Sequence, residues 1–355
     1  MKKYLVLLVV LCCFSGCTEI EMDKVDFDIA KMRREIDQLA ENDEFSGCIV
    51  LNDKEKNTIF SYFCGDASKE YEVKNVLDTK FRVASISKSI AGITITKLIE
   101  DGKIDPSKPV SEYISTQNSI YNQITIEHLL THTSGLAPFM QALDTSNNKT
   151  YENLNDYTDY IEEATLQFIP GEKWGYSNLG YLVLGLVVEN ITGMNYRSYV
   201  EQEIFIPANM TNSGFWLDYE AIKNRATGYA YDNERDIWIN RHSNFRGDPS
   251  WGMYSTVADL SNFMDAVLNN TFISKSFTDM AITPKPALNS PFYGYGFNIS
   301  DEKIAHGGNW SGFSSQMTYY KSGYTLVILC NYPNDSRTLS FGAQTVHKIV
   351  DKYLL

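Results

Sequence analysis

Two strand patterns stand at opposite ends of this chain, and they limit its fold more than any other feature. Ser46–Asn52 and Thr58–Cys64 flank the turn Asp53-Lys54-Glu55-Lys56-Asn57 and read as one hairpin. Ser315–Tyr320 and Tyr324–Cys330 flank Lys321-Ser322-Gly323 and read as a second. Between them the apolar residues take helical spacing, over Ser87–Glu100 with a stop at Gly102 and over Asn178–Asn190 with a stop at Gly193. Ile29, Met32, Ile36 and Leu39 predict an amphipathic helix before the first hairpin, and a helix over about 340–353 closes the chain. Ile126–Leu130 is a short helical piece, and the Asn/Asp/Ser/Thr-rich stretch 140–156 reads as a surface excursion. Strands at both ends with helices between predict an α/β fold of the α+β type. Its antiparallel sheet is built from both chain ends (about 27–80 and 251–355) and flanked by helices, and residues 81–250 form a mainly helical lobe.

The N-terminus sets the expected compartment. Lys2 and Lys3 precede an unbroken apolar run, Tyr4 to Phe14. A bilayer span takes about 20 apolar residues, so the run fits a secretory signal over 1–16 better than a transmembrane helix. It ends in Phe14-Ser15-Gly16-Cys17, which resembles a bacterial lipoprotein box in which Cys17 carries the lipid. Residues 17–26 would then be a polar tether before a single domain over 27–355. The expected address is the bacterial cell envelope, lipid-anchored at the outer membrane or its periplasmic face.

Charge narrows the partners. The formal charge of −13 becomes −15 when Lys2 and Lys3 leave with the signal. So acidic a surface repels phosphate backbones and anionic head groups, which argues against nucleic acid and leaves the lipid as the membrane attachment. Cys48, Cys64 and Cys330 remain besides Cys17. A Cys48–Cys64 bridge is open to an exported chain, but buried free thiols are the favoured reading, and no spacing suggests a metal or other cofactor.

Three motifs carry chemistry. Phe81-Arg82-Val83-Ala84-Ser85-Ile86-Ser87-Lys88 contains S-x-x-K at the start of an apolar helix, where positions three apart share a face. A serine hydroxyl needs an activating base, and a lysine made neutral by burial supplies one. Ser146-Asn147-Asn148-Lys149 matches the same pattern but has no apolar helix behind it. Pro170-Gly171-Glu172-Lys173-Trp174-Gly175-Tyr176-Ser177-Asn178 presents a Tyr-x-Asn triplet from a turn into a helix. A tyrosine beside a lysine can ionise in part and shuttle protons, and Asn178 can position the lysine and a substrate amide. His306-Gly307-Gly308-Asn309 places two glycines where a substrate can approach a strand closely, and the amide of Asn309 becomes a candidate oxyanion donor.

In this order, S-x-x-K, Y-S-N and H-x-G resemble the active-site motifs of the penicillin-recognising serine hydrolases. The likeness is to the branch of class C β-lactamases, D-Ala-D-Ala carboxypeptidases, D-amino-acid peptidases and esterases. Leu129-Leu130-Thr131-His132-Thr133-Ser134-Gly135-Leu136 and Gly252–Leu260 resemble segments of that family too, so the likeness runs over about 30–350. It implies an acyl-enzyme on Ser85, proton transfer by Lys88 and Tyr176, and orientation of Lys88 and substrate by Asn178. It also implies an oxyanion hole from the amides of Ser85 and Asn309, with His306 where many relatives carry lysine. Trp310 and Phe313, just beyond, are candidates for a substrate-pocket wall together with Gly307 and Gly308. His132 reads as a loop tie and His128 as structural. The implied function is a serine hydrolase acting on a small ester, amide or D-amino-acid peptide. Alternatives are a β-lactamase or D-Ala-D-Ala carboxypeptidase proper, or a receptor that captures penicillin or peptidoglycan fragments without turnover. The oligomeric state is left open.

Overall fold

The computed structural model describes residues 22–138, 151–217, 220–242, 247–334 and 342–355. The stretch read as a signal, Cys17 and Ser146 lie outside them. Both predicted hairpins form, as Gly47–Asn52 with Thr58–Cys64 and as Phe313–Tyr320 with Tyr324–Cys330. They join edge to edge: Gly47–Asn52 runs antiparallel to Tyr324–Cys330, with Gly47 opposite Cys330 and Asn52 opposite Thr325. Lys303–Trp310 and Asn298–Ile299 extend the sheet beyond Phe313–Tyr320, giving six strands with the two chain ends at its centre.

Side-chain alternation explains why this sheet is covered on both faces. Cys48, Val50, Val327 and Leu329 enter the large core shared with the Ser87–Glu100, Asn178–Thr192 and Val257–Leu268 helices. Ile49, Leu51, Leu326, Ile328 and Cys330 point the other way, toward Met22–Glu41 and Ala343–Leu354. The first of those helices begins at Met22, inside the stretch expected to be tether, and buries Met32 and Ile36 as its spacing predicts. The same alternation settles the cysteines. Gly47, not Cys48, stands opposite Cys64, so the Cys48 and Cys64 thiols lie on opposite faces and both are free.

The middle of the chain is less purely helical than expected. Phe81–Arg82, Gly214–Phe215 and Met253–Ser255 make a small three-stranded sheet, and Tyr229–Asp232 pairs with Ile237–Asn240. The stretch read as an excursion over 140–156 is anchored at its described end, where Tyr151 and Leu154 are buried, as is Tyr157 just beyond it. Their aromatic and leucine side chains outweigh the polar residues around them.

The Ser87–Glu100 helix is buried on nearly every side. Its hydroxyls tolerate this because Thr94 and Thr96 donate to carbonyls one turn back (Ile90 and Gly92), and Ser89 donates to Gly296 O. Gly92 is required by contact: a Cβ there would sit 2.0 Å from Tyr295 O. The helix is thereby fixed against its surroundings; its first turn carries Lys88, and the short 3-10 turn Ala84–Ile86 that leads into it carries Ser85.

Candidate active site

Ser85 lies in a tight turn between the Phe81–Arg82 strand and the buried helix. The residue before it, Ala84, has φ +47°, a left-handed conformation that costs a residue with a Cβ. Its surroundings impose it. Val83 N donates to Met253 O, Ser87 Oγ donates to Ala84 O at 2.7 Å, and Ser315 Oγ donates to Val83 O at 2.7 Å. Ser85 itself is half-buried, so its hydroxyl is held and still reachable.

Lys88 is fully buried, and its amine has three neighbours: Ser250 O at 2.6 Å, Asn178 Oδ1 at 2.8 Å and Ser85 Oγ at 3.3 Å. Burial drives its pKa down to about 7, opposed by the nearby Asp248 carboxylate. A neutral amine has two hydrogens and one lone pair. Ser250 O and Asn178 Oδ1 can only accept, so they take the hydrogens, and the lone pair turns to the Ser85 hydroxyl. Asn178 is aimed from the first turn of its helix, whose cap is Ser177 Oγ accepting from Gly180 N. Ser250 Oγ also donates to Asn178 O and Oδ1.

Asp248 was not singled out by any spacing, yet it organises this corner. Its Oδ1 accepts from Ser250 N at 2.7 Å and Trp251 N at 3.0 Å, which points Ser250 O at Lys88. Burial pushes its carboxyl up to about 6, and Oδ2 meets no partner among the described residues. Its charge raises the Lys88 pKa, so removing that charge lowers it. Asp248→Asn should therefore move the acid limb of kcat/KM to lower pH, because the neutral amine persists further into acid. A pH profile whose limb stays in place would show that Asp248 does not tune Lys88.

Tyr176 keeps 37 % of its surface open. Its hydroxyl end is enclosed, and a hydrogen bond joins it to the Ser85 side chain. Burial holds the phenol above its ordinary range despite that bond, so the expected partial ionisation is not met and Tyr176 is a neutral hydroxyl. Its ring lies tilted against His132 at 4.2 Å between centroids, with Lys88 Nζ 4.9 Å from the Tyr176 ring centre. His132 ties the loop as read from sequence: its Nδ1 accepts from Ser177 N, its O accepts from Gly175 N, and Thr133 O accepts from Gly171 N.

The third motif lies on the Lys303–Trp310 strand, against the Ser85 turn. A Cβ on Gly308 would fall 2.3 Å from Val83 O and 2.9 Å from Ala84 Cβ, so this glycine admits the protein's own turn rather than a substrate. The next residue, Asn309, turns its side chain to Asn334, leaving only its backbone as a candidate donor toward Ser85. His306 is buried and pushed down to about 3 by desolvation. Its Nδ1 donates to Gly307 O at 2.7 Å, so Nε2 accepts from the Tyr293 hydroxyl at 2.9 Å. Both ring nitrogens are committed to protein, so His306 stands where many relatives carry lysine without offering a free donor. Phe313 packs on Trp216 at 5.5 Å and lines a pocket whose walls include none of Ser85, Lys88, Tyr176 and Asn178, whereas Trp310 lies tilted against Trp251 at 5.6 Å.

The sequence profile of the beta-lactamase family matches residues 32–348, nearly everything described. The chain belongs to the beta-lactamase family. This member is 28 % identical to protein flp of Staphylococcus aureus over 314 residues, which is 84 % of this chain but only 63 % of that protein. The chain thus spans less than two thirds of that relative's length. A penicillin-binding protein from Bacillus halodurans superposes with a TM-score of 0.79 at 26 % identity, covering 89 % of this chain and 98 % of that one. A D-amino acid amidase from Ochrobactrum anthropi gives 0.75 at 21 % identity over 94 % and 98 %, a likeness of fold. The antiparallel sheet drawn from both chain ends and flanked by helices is the architecture of these proteins.

Proposed function

We propose that this beta-lactamase family member is a serine hydrolase that cleaves a small ester, amide or D-amino-acid peptide through an acyl-enzyme on Ser85. The observation that carries the reading is the Lys88 amine, with two acceptors for its hydrogens and its third direction toward Ser85 Oγ. Ser85 Oγ attacks the carbonyl carbon while its proton passes to Lys88 Nζ. The amides of Ser85 and Asn309 receive the oxyanion, and the neutral Tyr176 hydroxyl relays the proton to the leaving group, replenished from Lys88. Water then enters as the second nucleophile and releases the acid, returning the proton to Ser85.

The third motif bears on the substrate. His306 is neutral with both nitrogens engaged, and Gly307 has no hydroxyl, so neither side chain holds a carboxylate beside the strand. A hydrogen bond to a charged group contributes about 1.5–3 kcal/mol, so losing even one lowers kcat/KM about tenfold or more. Neutral short-chain esters and uncharged amides should therefore turn over better than cephalosporins or D-Ala-D-Ala peptides. The test has two arms. A fluorophosphonate should label Ser85 and lose all labelling in Ser85→Ala; labelling that survives would overturn the nucleophile. Turnover across p-nitrophenyl esters, D-amino-acid amides, a D-Ala-D-Ala peptide and a cephalosporin ranks the substrates, and a cephalosporin or D-Ala-D-Ala peptide above every neutral ester would restore the β-lactamase or carboxypeptidase reading. Labelling without release of any product would favour a receptor.

We further propose that Cys17 carries a lipid that holds the enzyme in the cell envelope. The support is the dibasic start, the short apolar run and the small residues before the cysteine. Cys17→Ala should shift the protein from the detergent phase to the aqueous phase, and unchanged partitioning would rule out the anchor.

A further inference from the structure

One cavity has walls that include none of Ser85, Lys88, Tyr176 and Asn178. It is a pocket, open to solvent, where the Phe81–Arg82 strand meets the turn after Lys303–Trp310. The chain has only nine arginines, and three of them, Arg82, Arg225 and Arg241, line this one pocket together with His242. None of the described lining residues is acidic. In a chain with 44 acidic and 31 basic residues, such a concentration of positive charge is opposite to the surface as a whole.

Two of the guanidiniums lie against one ring. Trp216 is buried, and the Arg82 and Arg225 guanidinium carbons lie 4.9 and 5.3 Å from its ring centroid. Arg82 is buried as the floor, on the strand paired with Tyr254. Arg225 is set by backbone bonds on either side of it: Lys80 N donates to Asn224 O, and Ala226 N donates to Lys80 O. Arg241 is placed by its N–H donating to Gly228 O, and His242 by its O accepting from Ser311 Oγ at 2.8 Å. Arginine forks fixed by stacking lose little freedom when they bind, and their planar donors match carboxylate and phosphate oxygens in pairs.

We propose that this pocket binds an oxyanion group, carboxylate or phosphate. The group is carried either by the substrate, beyond the carbonyl that Ser85 attacks, or by a free anion acting as an effector. The pocket is separate from the position of His306 and Gly307, so it supplies anion recognition that the third motif does not. The substrate arm rests on the Ser85 reading; anion binding itself does not.

The experiment titrates the purified protein with inorganic phosphate and with succinate, following heat and Trp fluorescence at low and high salt. Saturable binding that weakens with salt is expected in the millimolar range or tighter. The Arg225→Gln, Arg241→Gln double variant should weaken it tenfold or more, while Arg235→Gln, on the nearby hairpin but outside the pocket, should not. No saturable binding of either anion, or binding that the double variant leaves intact, would overturn the proposal. A second measurement separates the sources: kcat/KM for mono-p-nitrophenyl succinate divided by that for p-nitrophenyl acetate. A tenfold fall of this ratio in the double variant assigns the anion to the substrate. An unchanged ratio with phosphate binding lost assigns it to a free effector. Fluorophosphonate labelling of Ser85 in every variant keeps a failure of the pocket distinct from a failure of the nucleophile.

Discussion

Lys88→Arg should lower kcat by about a thousandfold or more, on the scale seen when a base is taken from a catalytic unit. The argument is one of protons. The wild-type amine titrates near neutrality because burial penalises its charge. Below that pKa the ammonium has no lone pair for the Ser85 proton, and above it the neutral amine does. Wild-type kcat/KM should accordingly rise with pH through about 7 and level off. Arginine stays protonated throughout the accessible range, so the rise through 7 should vanish along with most of the rate. Size adds to the loss. Ser250 O at 2.6 Å and Asn178 Oδ1 at 2.8 Å leave a site fitted to one nitrogen, not a planar fork. A Lys88→Arg enzyme that retains near-normal turnover and the same pH limb would transfer the base role to another group and leave Lys88 structural.

What could be read in the sequence was whatever local periodicity and short spacing encode. The hairpins at 47–64 and 313–330 have runs rich in β-branched and aromatic residues around turn residues, so their existence followed directly. Ser85 and Lys88 are three apart in one helical turn, and the backbone alone brings them together. Asn178 could be recognised only because a helix starts there. The hidden half of the site is long-range. Ser250 is 162 positions from Lys88, and no period or spacing links a carbonyl to a distant amine. Asp248 looks like any loop aspartate until burial shows its Oδ1 gathering two amides. His306 illustrates the converse error. Its place in the motif suggested a group facing the substrate, but Tyr293, thirteen residues earlier, occupies its Nε2. Phe313 shows a related limit: adjacency to the motif in sequence does not decide which side of the strand a side chain takes, and its ring lies against Trp216.

Gly308→Ala should be the most damaging small change in the third motif. One methyl group is added, yet its position is 2.3 Å from Val83 O, 2.5 Å from Ser315 Oγ and 2.9 Å from Ala84 Cβ. Two of those three are parts of the turn that carries Ser85, and the third is the hydroxyl that braces it through Val83 O. None is the free end of a long side chain, so the strand and the turn must separate. Overpacking of this kind typically costs about 1–3 kcal/mol of stability. The catalytic cost should be larger than the stability cost suggests. The amides of Ser85 and Asn309 lie on the two elements being pushed apart, and loss of one oxyanion donor lowers kcat on the order of 10²–10³-fold. Gly307→Ala provides the contrast, since the one tight contact of its Cβ would be the Gln316 side-chain oxygen at 2.8 Å, which can swing away, while the Ser315 backbone oxygen lies at an ordinary 3.5 Å. The expected pattern is a large fall in kcat for the 308 variant with fluorophosphonate labelling slowed in parallel, and a small effect at 307. Equal effects at the two positions, or a folded 308 variant with wild-type kcat, would mean that the strand is not held in register with Ser85 through this glycine.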